Sequence, residues 1–95
     1  MLDTFQTVTY EFLRKSSLSL GIYNLAAGIT DPQQPHAEDE MYYVLAGRAQ
    51  AFVSGETCAI GPGDTLFVGA GEEHRFQGIK EDMSLLVFFA PPEYE

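Results

Sequence analysis

An all-β domain of about eight short strands is the fold this sequence predicts, on three observations. Apolar residues alternate with polar ones at period two, glycines fall between the alternating runs, and no window carries an amphipathic helix capped at both ends. The first run sets Val8, Tyr10 and Phe12 against Thr7, Thr9 and Glu11, the pattern of a strand with one buried face. In the second, Leu18, Leu20 and Ile22 alternate with Ser17, Ser19 and Gly21, and the run ends at Ala27, Gly28 and the polar residues 30–34. Further strands are read at 40–46, 48–54, 57–60, 65–68, 74–77 and 83–89. Gly47, Gly55, the Gly61-Pro62-Gly63 triplet, Gly69, Gly71 and Gly78 lie between them, where a chain reversal calls for positive φ or a residue barred from a central ladder. Pro91-Pro92 ends the last strand, since neither residue has an N–H to extend the ladder. Strands recurring at roughly 8 to 12 residues with turn signals between them indicate a sandwich or a barrel.

Composition narrows the function classes. The 95 residues are expected to form a single domain over 1–95, and 45% apolar with 20% charged residues is the balance of a globular chain. Fourteen acids against five Lys and Arg give a net charge of -9, a field that repels phosphate backbones and anionic lipids, so neither nucleic acid nor membrane is expected as a partner. No apolar run approaches the roughly 18 to 20 residues of a membrane span, and the first ten residues lack the basic start of a secretory signal, so a cytoplasmic location is expected. The single cysteine, Cys58, can form no internal disulfide and no multi-thiolate metal site, and its strand-like run suggests buried packing. No phosphate-binding loop, dinucleotide glycine fingerprint or serine elbow is present. Arg48 and Arg75 are the cations considered for a substrate anion, against simple pairing with the abundant acids.

The chain holds two histidines, His36 and His74. His36 precedes Glu40 by four residues, and Gly28, Gln34, His36, Glu40 and Gly47 fall on the spacing glycine, five residues, His-x-His, three residues, Glu, six residues, glycine, with Gln34 where the first histidine stands. Gly63, Gly71 and His74 fall on a second spacing, glycine, five residues, Pro-x-Gly, two residues, His, three residues, Asn, in which Gly69 takes the proline's place and Gly78 the asparagine's. These two segments, about 28–47 and 63–78, resemble the paired motifs of the cupins, and the fifteen residues between Gly47 and Gly63 resemble the short spacing of the microbial members. The resemblance implies a double-stranded β-helix, a small jelly-roll barrel, which composition and periodicity alone do not single out.

It also implies a metal site. His36, Glu40 and His74 stand at the ligand positions, with Gln34 or water in a further one, and two imidazoles with a carboxylate suit one divalent Fe, Mn, Ni, Co or Zn ion. Independently, Glu40 opens an apolar strand, where an inward carboxylate is costly without a cation or a donor. Strand alternation puts Tyr42 and Val44 on the face of Glu40 and Phe76 on the face of His74, so Tyr42 and Phe76, with Phe52, are the expected pocket residues for a small organic ligand. No residue is assigned as catalytic. The resemblance implies a metal-dependent enzyme, a dioxygenase or an isomerase; the alternatives are a binding module for a small ligand without turnover and a structural dimer with a degenerate site. A homodimer is expected in each case, because a domain of this size buries little of its own surface and has sheet edges to cover.

Overall fold

The computed structural model describes residues 10–29, 31 and 37–92. Eight strands run in order: β1 (Tyr10–Arg14), β2 (Ser19–Leu25), β3 (Asp39–Ala46), β4 (Ala49–Val53), β5 (Glu56–Ile60), β6 (Thr65–Val68), β7 (His74–Gln77) and β8 (Met83–Ala90). They form a five-stranded sheet in the order β1-β2-β8-β3-β6 and a three-stranded sheet in the order β5-β4-β7, every pair antiparallel. This is the jelly-roll arrangement expected, and among the described residues no helix is long and apolar enough to cross a membrane.

The core lies between the sheets. Tyr23 and Leu25 of β2, Tyr42 and Val44 of β3, Val68 of β6 and Leu85, Val87 and Phe89 of β8 face Ala49 and Ala51 of β4 and Phe76 of β7. β8 is a central strand with neighbours on both sides, and its alternate residues are buried along nearly its whole length. Turn glycines sit where the sequence puts them: Gly47, Gly55, Gly63, Gly71 and Gly78 all have positive φ.

Three assignments of face and burial change. On β2 the buried residues are Ser19, Gly21, Tyr23 and Leu25, so Leu20 and Ile22, the apolar members of the alternation, point outward. They are not isolated there. Tyr10, Ile22, Leu86, Tyr43 and Thr65 form one cross-strand row on the outer face of the larger sheet, and Leu13, Leu20, Phe88, Met41 and Phe67 form the next. Neither row contains a charged residue. β1 is exposed at every position, with Phe12 as the extra residue of a bulge, rather than the half-buried strand that alternation suggests. Cys58 is exposed rather than buried, because β5 is an edge strand and pairs only with β4.

Candidate functional site

Glu40 and His74 come from opposite sheets and meet inside the barrel. Glu40 is the second residue of β3, between Val68 of β6 and Phe89 of β8, and His74 opens β7 beside Val53 of β4. Their side chains are 1% and 2% exposed, and His74 Nε2 stands 3.0 Å from Glu40 Oε1. The other Glu40 oxygen accepts a hydrogen bond from the Tyr42 hydroxyl at 3.1 Å. His74 Nδ1 donates to the Glu72 carbonyl at 3.0 Å, since a carbonyl only accepts, and in the imidazolium Nε2 donates to Glu40 Oε1.

Burial lowers the affinity of His74 for a proton, but the hydrogen bond with Glu40, the Glu72 carbonyl and the charges of Glu40 and Asp31 outweigh it and raise the His74 pKa above its usual 6.5. A raised folded-state value means that the imidazolium stabilises the fold fully below about pH 6.5, the unfolded value, and that this contribution is lost as pH rises through the folded value. In chelator-treated protein, the stability advantage of the parent over His74→Gln should therefore shrink as pH is raised above 6.5, measured by urea unfolding across the range. An advantage that grows with pH would contradict the assignment.

The surrounding residues hold this pair in place. The Tyr42 ring meets Phe76 edge-on at 5.0 Å and lies 6.4 Å from His74, so all three pack as one unit in the core. Phe52 does not join them: it lies half-buried on the other face of β4, beneath the Arg75 guanidinium at 4.2 Å. Arg75 also pairs with Glu73 at 3.1 Å. His36 and Gln34 lie outside the described residues, as do Pro32 and Pro35. Among the described residues no group of three or more His, Cys, Asp or Glu side chains is placed to hold a metal ion.

Sequence reasoning missed Asp31. Its carboxylate is buried and accepts the Tyr23 hydroxyl at 2.7 Å and the Phe76 N–H at 2.9 Å, fixing the chain after β2 to the strand that carries His74. Other acids near the site are structural too. Asp39 accepts the Ala70 N–H at 2.8 Å, and Glu72 accepts the Ser54 hydroxyl and the Gly69 N–H, both at 3.0 Å. Glu38 is buried as well. No local signal marks these roles, since each partner is a backbone or hydroxyl group that sequence spacing does not reveal.

An imidazole whose distal nitrogen is held by a carbonyl, facing a carboxylate oxygen in a dry interior, is an N/O donor set of the kind that borderline divalent ions take. In that respect Glu40 and His74 fit the ion that the sequence motifs imply.

Comparison with known proteins gives the family. An uncharacterized protein of Streptomyces coelicolor is 48% identical over 83 residues, covering 87% of this chain and 79% of its own. Dimethylsulfoniopropionate lyase DddQ of Ruegeria pomeroyi is 34% identical over 59 residues, 61% of this chain and 29% of the lyase. Its crystal structure superposes with a TM-score of 0.75 at 28% identity, covering 80% of this chain and 39% of the lyase, so this chain spans well under half of that enzyme. A Thermus thermophilus protein superposes at a TM-score of 0.77 with 26% identity, covering 87% of this chain and 81% of that one. Residues 21–89, from β2 to β8, match the cupin domain family, and with Glu40 and His74 meeting inside an eight-stranded jelly roll this chain belongs to the cupins.

Proposed function

We propose that this cupin holds one divalent transition metal ion through His36, Glu40 and His74 and acts on, or binds, a small organic molecule. The observation that carries the reading is the approach of His74 Nε2 to Glu40 Oε1, 3.0 Å apart, from the two motif positions. A bound ion supplies Lewis-acid or redox chemistry. The chain's own residues do the positioning: the Glu72 carbonyl fixes the His74 tautomer, the Tyr42 hydroxyl orients the Glu40 carboxyl, and Phe76 with Tyr42 keeps water from the inner side. The lyase relative supports elimination as a reaction class beside oxygen activation and isomerisation.

The test is metal content by inductively coupled plasma mass spectrometry, on untagged protein and on the triple variant His36→Ala, Glu40→Ala, His74→Ala. About one ion per chain in the parent and little in the variant is expected. Negligible metal in both after incubation with each candidate ion would sink the metal reading.

A second copy of the chain is the partner we propose for the outer face of the larger sheet. Two apolar rows cross all five strands, a width of roughly 20 Å at about 4.8 Å per strand, and a face this wide is on the scale of a dimer interface. The charge distribution supports self-association. Two copies each carrying -9 repel, and the repulsion is least where facing surfaces carry no charge, which is the property of both rows. Sedimentation at micromolar concentration should give about twice the 10.5 kDa chain mass, and the exposed-site double variant Met41→Lys, Tyr43→Lys should sediment as a monomer. A parent that sediments at 10.5 kDa would overturn the dimer.

A further inference from the structure

The two seams between the sheets are built differently. On one side the chain after β2 is stitched along the edge of β7: the Gly28 N–H donates to the Ile79 carbonyl at 3.0 Å, and Asp31 takes the Phe76 N–H. On the other side β5 and β6, the edge strands of their sheets, do not pair with each other. A cavity of about 420 Å³ opens there, within the range of roughly 300 to 1,000 Å³ typical of small-molecule sites.

Its lining is chemically one-sided. Val53, Leu66 and Phe67 supply apolar surface, Glu56 and Glu72 supply carboxyl groups, Cys58 supplies a thiol, and among the described residues no Lys, Arg or His takes part. Glu72 is positioned in advance by the hydrogen bonds from Ser54 and Gly69. Gly69 makes room for it, since a Cβ there would stand 2.6 Å from Glu72 Oε2. Of the five Lys and Arg, Arg75 pairs with Glu73, Arg14 pairs with Glu11, Arg48 and Lys80 line a separate cavity at the opposite end of β4, and Lys15, just after β1, does not line this one. The cavity also adjoins the metal-ligand candidates, because Val53 is the cross-strand partner of His74 and Glu72 carries the carbonyl that holds its ring.

We propose that this cavity takes a small organic molecule by a cationic group, an ammonium or a sulfonium, carried on an apolar body. Two carboxylates attract the charge, and Val53 and Leu66 take the apolar body. An anionic molecule of the same size meets only repulsion. The proposal names the ligand class for the small-molecule reading above and rests on it.

Cys58 makes the test direct, because it is the only cysteine in the chain and it lines the cavity. Its rate of labelling by monobromobimane is measured on the full chelator-treated chain at fixed ionic strength, with choline, its uncharged isostere 3,3-dimethyl-1-butanol, or butyrate added. Choline should slow labelling with a half-effect concentration about tenfold below that of the alcohol, and butyrate should not protect. Glu56→Gln should weaken choline protection about threefold. Glu81→Gln removes the same charge at an exposed position outside the cavity and should leave protection unchanged. Equal protection by choline and the alcohol, protection by butyrate, no protection by any of the three, no weakening in Glu56→Gln, or equal weakening in both variants would overturn the proposal. Because no metal is present, the outcomes separate: protection in this order without metal binding removes the metal site and keeps the cavity, and metal binding without protection does the reverse.

Discussion

His74→Ala should destabilise the metal-free protein by about 3–5 kcal/mol, and Glu40→Ala by a similar amount. Each removes one member of a pair whose side chains are 1% and 2% exposed and leaves the other polar group in a dry interior beside Tyr42 and Phe76. The loss lies mainly in the abandoned partner rather than in the contact itself. Replacing both at once, Glu40→Ala with His74→Ala, should therefore cost less than the two single changes added together. In a domain of this size the single variants correspond to a fall in melting temperature of roughly 15 °C or more. Urea unfolding of the four proteins closes the cycle, and strictly additive costs would mean that the two groups do not depend on each other.

Gly47→Ala should cost about 3 kcal/mol or more, although it adds only a methyl group. Gly47 follows β3 with φ at +94°, and a Cβ there would stand 2.5 Å from the Asp82 carbonyl oxygen and 2.7 Å from the Met83 Cα. Both neighbours are backbone and cannot rotate away. Gly55→Ala is the matched control: its φ is +90°, but nothing lies within 4 Å of the added atom, so only the conformational cost of about 1–2 kcal/mol remains. The difference between the two variants in unfolding free energy measures the backbone collision. Equal losses would show that the left-handed conformation accounts for both.

Much of this architecture is legible in the sequence because glycine and alternation report on the backbone directly. The limits of β6 and β7 are those read from the sequence, and Glu40, Tyr42 and Val44 share a buried face as the alternation of β3 requires. Alternation fails on β2, where both sets of residues are apolar enough to be buried: Tyr23 and Leu25 take the core while Leu20 and Ile22 complete an apolar outer face. It fails at β1 because that strand lies at the edge of the larger sheet, with β2 as its one neighbour. The Glu40–His74 pair was legible through motif spacing, and its supports were not. Asp31 reads as one more acid in a polar loop, and its partner Phe76 is 45 residues away. Phe52 shares a strand with core residues but sits at the opposite parity.

The Asp31 carboxylate has a further consequence. β7 is the last strand of its sheet, so the outward N–H of Phe76 has no strand to bond to and is closed off by a side chain instead. Exchange of that one amide with deuterated solvent requires only that Asp31 let go, whereas the amides of β8, bonded on both sides, require the sheet to open. In an exchange experiment Phe76 should be the fast amide of an otherwise slow core. Its rate becomes a clock for the release of Asp31 from the edge of β7.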